Sequence, residues 1–72
     1  MTEITFQVEE DMVDGDWVAR ALGESIVTQA DSIEELKAMI RDALQCHFER
    51  KADVPPVIRL HFVKDEVFNF AV

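Results

Sequence analysis

Residues 14–49 constrain the fold most, because they combine a hairpin turn, two short strand patterns and a strongly marked helix start. Asp14-Gly15 is a favourable hairpin dipeptide, since both residue types tolerate a positive φ. Residues 17–22 and 26–30 are predicted to form the second and third strands, separated by a turn that contains the other glycine. The order predicted for this part of the chain is therefore hairpin, third strand and helix.

The helix start is the clearest local signal. Ser32 followed by Glu35 is a capping-box pattern, in which each side chain bonds the backbone N–H of the other residue. The predicted helix ends near residues 50–51, and the Pro55-Pro56 pair then enforces an extended connection. Its apolar stripe is expected to comprise Ile33, Leu36, Ile40, Ala43, Leu44, His47 and Phe48.

Two further segments alternate between apolar and polar residues, which is typical of half-buried strands. They are residues 4–8 before the hairpin and residues 57–63 after the helix, and residues 67–72 are predicted to add a C-terminal strand. The predicted fold class is α+β, with the order β-β-β-α-β and one helix on one face of a mainly antiparallel sheet. The residues expected to point inward are Ile4, Phe6, Val8, Ile58, Leu60 and Phe62.

The 72 residues are sufficient for a single small domain, residues 1–72. A core of this size rarely supplies more than roughly 3–5 kcal/mol, so self-association is a reasonable source of additional burial. The apolar C-terminal segment would be an unprotected edge if it were exposed. A homodimer that uses Phe68, Phe70 and Val72 is therefore expected.

The net charge of −8 argues against direct binding to nucleic-acid phosphates or anionic lipid, and it favours a basic protein partner. No apolar run approaches the ~20 residues that span a bilayer. The first residues lack the pattern of an export signal. The single cysteine, Cys46, is compatible with a reducing compartment, so a cytoplasmic location is expected.

An acidic cluster precedes the only tryptophan, Trp17. The cluster has three interpretations: a solvated loop, a docking surface for a basic partner, or a divalent-metal site. Trp17 itself is either the edge of the core or an interface anchor. The residues proposed for partner binding are Glu9, Glu10, Asp11, Asp14, Asp16 and Trp17.

No catalytic constellation is evident. Two glycines in the whole chain leave little room for a phosphate-binding loop. Cys46, His47 and His61 lack the additional ligands that a metal site requires. Cys46 and His47 are also not expected to form a nucleophile–base pair, because adjacent residues of a helix do not face each other. The expectation is therefore a protein without a cofactor, a metal or enzymatic activity.

Four short segments, taken in order, resemble the HicB-like antitoxin family over about residues 4–50. They are GDWVA at 15–19, TQADS at 28–32, IEE at 33–35 and IRDAL at 40–44. The resemblance implies a partial ribonuclease-H-like fold. It also implies a small basic HicA-type RNA-cleaving toxin as partner, inhibited by occlusion.

Two departures from the family pattern limit what the resemblance implies. Glu24-Ser25 replaces the Pro-Gly pair common before the third strand, and the 72 residues contain no ribbon-helix-helix or helix-turn-helix domain. Repression by direct DNA binding is therefore not expected. The alternatives are an interaction domain with a partner other than a toxin, and a small ribonuclease-H-like metal-dependent enzyme.

Overall fold

A computed structural model describes residues 2–64, 66 and 68–70. The elements are β1 (Glu3–Glu10), β2 (Trp17–Ala21), β3 (Val27–Ala30), α1 (Ile33–His47), a short 3-10 turn (Lys51–Asp53) and β4 (Val57–Val63). The sheet has the strand order β3-β2-β1-β4; β2 is antiparallel to both of its neighbours, whereas β4 is parallel to β1. The predicted α+β class and the order β-β-β-α-β are confirmed.

Helix α1 begins at the predicted cap. The Glu35 backbone N–H donates to Ser32 Oγ at 3.1 Å, which is the first half of the capping box. The helix ends at His47, three residues before the predicted end, where the Phe48 N–H donates to the Leu44 carbonyl. The prediction that His47 belongs to the apolar stripe is wrong, because its side chain is exposed and bonds Glu24 instead.

The core lies between α1 and the first three strands. Ile4, Phe6 and Val8 point inward as predicted, with 3%, 0% and 0% of their surface exposed. The alternation of β2 left its inward face undecided, and the burial of Ala19 identifies it. The buried apolar residues are Ile4, Phe6, Val8, Ala19, Ile26, Ala30, Leu36, Ile40 and Leu44.

Strand β4 is the part of the predicted core that the structure corrects. Its parallel register with β1 places Ile58, Leu60 and Phe62 on the same face as the buried residues of β1. Their predicted burial is only partly correct: Leu60 is half-buried against the core, whereas Ile58 is 36% and Phe62 is 51% exposed. The physical reason is coverage: α1 packs over β3 and β2 and does not extend across β4.

Of the predicted C-terminal strand at residues 67–72, the structure describes residues 68–70. Phe68, Asn69 and Phe70 are not in a strand, and the two phenylalanine side chains are 84% and 92% exposed. Val72, predicted to take part in self-association, lies outside the described residues, as do residues 67 and 71. Within the described part of the chain, no helix has the length and hydrophobicity needed to cross a membrane.

Candidate partner-binding groove

The acidic turn between β1 and β2 is closed by its own backbone. The Asp11 N–H donates to the Asp16 carbonyl, and the Gly15 N–H donates to the Asp11 carbonyl, both at 2.6 Å. Gly15 has a φ of +75°, which favours glycine, whereas no non-glycine residue in the described ranges has a positive φ. Gly15 is therefore the residue of the Asp14-Gly15 dipeptide that supplies the positive φ of the turn.

Asp11 has a structural task within this turn. Its Oδ1 accepts hydrogen bonds from the backbone N–H of Val13 at 2.9 Å and of Asp14 at 3.4 Å. This Asx-type contact fixes the path of the loop. Asp14 is left with an exposed side chain, so its charge is available to a partner.

Asp16 lies at the other side of the turn, next to β3. Its Oδ2 accepts a hydrogen bond from Gln29 Nε2 at 2.7 Å. The Asp31 carboxyl lies close to Asp16 as well. The hydrogen bond with Asp16 raises the pKa of Asp31, and the charges of Asp16 and Glu35 raise it further.

An aromatic pair connects the start of β2 with the end of β4. The rings of Trp17 and Phe62 meet edge to face, with centroids 6.2 Å apart and planes at 87°. Beside them is an open groove of about 610 Å³. We call this the tryptophan groove, and its lining residues are Glu9, Glu10, Met12, Trp17, Phe62, Val63 and Lys64.

The structure brings together half of the six residues predicted for partner binding. Glu9, Glu10 and Trp17 line the tryptophan groove, whereas the three aspartates belong to the adjoining turn. The sequence analysis missed the remaining lining residues. Phe62 could not be assigned to this groove because only the parallel register, which sets Phe62 opposite Val8, places it near Trp17. The lining residues that were missed are Met12, Phe62, Val63 and Lys64.

The cysteine and histidine residues lie elsewhere. His47 Nε2 is 3.0 Å from Glu24 Oε2, Cys46 is exposed on α1, and His61 is exposed on β4. Among the described residues, no three histidine, cysteine, aspartate or glutamate side chains come together as a metal site.

The Asp16–Asp31 pair predicts a specific pH dependence. The pKa of Asp31 is raised in the folded state, so the folded protein binds more protons than the unfolded chain just above pH 3.8. The free energy of unfolding should therefore increase as the pH falls toward 3.8. At higher pH both carboxylates are charged, and the repulsion between Asp16 and Asp31 should persist. Asp31→Asn should remove this contribution, as measured by thermal midpoint against pH. An Asp31→Asn curve with the same slope as the wild type would contradict it, and Glu49→Gln is the control.

Taken together, the fold and the groove define a small α+β domain with an acidic, aromatic surface at one end of its sheet. Two curated relatives carry the same designation, UPF0150 protein. One, from Archaeoglobus fulgidus, is 59% identical over 46 residues, which cover 64% of this chain and 67% of the relative. The other, from Thermotoga maritima, is 41% identical over 63 residues, which cover 88% of this chain and 86% of the relative.

The chain belongs to the UPF0150 family. No family profile matches it, and no solved structure does. The family designation states neither an activity nor a partner. The more specific HicB-like membership expected from the sequence therefore stays a prediction.

Proposed function

We propose that this protein is a binding module that holds a small basic protein at the tryptophan groove. In the specific form of the proposal it is a HicB-like antitoxin, and its partner is a HicA-type RNA-cleaving toxin. The observation that carries the proposal is the pair formed by the half-buried Trp17 and the exposed Phe62, in a groove that Glu9 and Glu10 also line.

The chemistry of this surface suits a basic protein partner. Tryptophan is one of the residue types enriched among the energetic anchors of protein interfaces. The carboxylates around it attract cationic side chains, and the net charge of −8 adds long-range steering. The aromatic pair would supply affinity, while the carboxylates would supply association rate and orientation.

The proposed mode of action is occlusion, without chemistry by this chain. A ribonuclease-H-like enzyme would need carboxylates that converge on the sheet. The centre of the sheet is instead occupied by Ile4, Phe6 and Val8, all buried and apolar. This favours a binding module over the enzyme alternative. An interaction domain with a basic partner other than a toxin would use the same groove.

The proposal predicts that the charge of the acidic turn controls the rate of association. Asp14→Lys/Asp16→Lys should lower the association rate constant by roughly tenfold, because local steering is lost. The dissociation rate should change much less. Stopped-flow or surface-based kinetics with the basic partner would measure both rates, and circular dichroism would check folding.

A matched control carries the same change of charge on a different surface. Asp42→Lys/Glu49→Lys alters two exposed acidic residues, one within α1 and one just after its end. Neither of them lines the tryptophan groove. We expect this control to slow association only slightly. Equal rates for the two double variants and the wild type would remove the acidic turn from the interface.

The proposal also includes self-association, a cytoplasmic location and no cofactor. Phe68 and Phe70 are the described members of the predicted self-association set, and both are almost fully exposed. Large exposed apolar side chains in one short segment are unusual on a monomer surface and favour burial against another molecule.

A further inference from the structure

A second groove lies between α1 and β4, on the part of the sheet that the helix leaves uncovered. It has a volume of about 240 Å³ and is separate from the tryptophan groove. Strand β4 is also an edge strand of the described sheet, so the backbone groups on its outer edge have no neighbouring strand among the described residues. We call this the helix–β4 groove, and it is lined by Lys37, Ile40, Arg41, Ile58 and Leu60.

The charge of the helix–β4 groove is opposite to that of the chain as a whole. Lys37 and Arg41 lie one turn apart on α1, and both are exposed. Neither takes part in a salt bridge among the described residues. In a chain with a net charge of −8, two such cations beside an apolar floor form a site for an acidic, apolar segment.

The chain itself contains a segment of that composition directly after β4. Glu66, Phe68 and Phe70 alternate in sequence with other residues, and all three are exposed. With Phe68 84% and Phe70 92% exposed, the segment does not fill the groove of its own chain. The groove and the segment are thus complementary surfaces, both uncovered in the described structure.

We propose that the helix–β4 groove binds the segment that carries Glu66, Phe68 and Phe70 in a second copy of this chain. The segment would add as a strand to the free edge of β4, through main-chain hydrogen bonds. Residues two apart in a strand point to the same face. Glu66, Phe68 and Phe70 would therefore all face the groove, with the phenylalanines on Ile58 and Leu60.

In this arrangement the Glu66 carboxylate meets the cations of α1. Exchange in both directions makes a closed, two-fold dimer in which each copy supplies one segment and one groove. The inference rests on the proposed self-association and gives it a surface. It does not depend on the basic partner, which uses the tryptophan groove.

The test is the dissociation constant of the dimer, measured by sedimentation equilibrium. We expect Phe68→Ala/Phe70→Ala to weaken the dimer at least tenfold. Lys37→Glu/Arg41→Glu should do the same, whereas Arg20→Glu/Lys51→Glu makes the same change of charge elsewhere and should have a smaller effect. Circular dichroism would confirm that each variant is folded.

A mixing experiment separates a local contact from a general effect of charge. Glu66→Lys alone should weaken the dimer, and so should Lys37→Glu/Arg41→Glu alone. When the two variants are mixed, the reversed segment of one meets the reversed groove of the other. A heterodimer tighter than either homodimer is the expected result.

The other outcomes overturn the inference in distinguishable ways. A wild-type chain that stays monomeric at several hundred micromolar would refute self-association as well as this surface. A wild-type dimer that is unchanged in the groove and segment variants would place the interface elsewhere while leaving self-association intact. A monomer destabilised by Phe68→Ala/Phe70→Ala would show that the segment docks within its own chain.

Discussion

Replacing Leu36 by alanine is expected to leave the protein largely unfolded at 25 °C. Leu36 is fully buried on the inward face of α1, in the cluster that joins the helix to the sheet. A Leu→Ala change in a core costs roughly 2–5 kcal/mol, because transfer free energy is lost and a cavity remains. The core of a domain this small rarely supplies more than about 3–5 kcal/mol, so the change removes most of that contribution. Chemical denaturation monitored by circular dichroism would measure the loss.

Leu22→Ala is the matched control, because it removes the same atoms from a side chain that is 55% exposed. We expect it to cost about 1 kcal/mol or less, since little burial is lost. If Leu36→Ala unfolded at the same denaturant concentration as Leu22→Ala, the packing of α1 against the sheet would not be the main source of stability.

Trp17→Ala is expected to weaken binding of the basic partner by about 2 kcal/mol or more, which is roughly 30-fold in affinity. The change removes the anchor from the groove together with its contact to Phe62. Most of the loss should appear in the dissociation rate, because the carboxylates that steer the encounter are kept. Calorimetric titration and surface-based kinetics would measure affinity and rates.

The stability of Trp17→Ala must be measured separately from its affinity, because Trp17 contacts Phe62 within the fold. An edge-to-face aromatic pair contributes about 0.5–1.5 kcal/mol beyond the burial of the rings, and Trp17 also packs against the core, so Trp17→Ala should melt earlier than the wild type. Trp17→Phe keeps an aromatic ring in place and should restore most of the stability while recovering only part of the affinity. Affinity that is unchanged in Trp17→Ala would exclude the tryptophan groove as the binding surface.

Local signals in the sequence were sufficient for most of the fold. The Ser32–Glu35 pattern located the start of α1 because a helix cap is a contact between residues three apart. The alternation of Ile4, Phe6 and Val8 predicted the inward face of β1, because residues two apart in a strand point to the same face. Each of these features depends on neighbours in the chain.

Features that depend on distant parts of the chain were not predictable in this way. The alternation of β4 is as regular as that of β1. Ile58 and Phe62 are nevertheless partly exposed, because α1 packs over β3 and β2, at the opposite end of the sheet from β4. Three residues of the tryptophan groove, Glu9, Glu10 and Trp17, were predicted because charge or a tryptophan marked them. Phe62 was missed as a groove residue, since its meeting with Trp17 requires the sheet order.

The most direct test of the binding proposal is an affinity capture from the native lysate with three tagged baits: wild type, Trp17→Ala and Leu22→Ala. Bound proteins would be identified by mass spectrometry and tested for RNA cleavage with and without the bait. The proposal predicts a small basic protein in stoichiometric amount on wild type and Leu22→Ala, little on Trp17→Ala, and cleavage suppressed by the wild-type chain. Recovery of the bait alone, or equal recovery of the partner on Trp17→Ala, would contradict it.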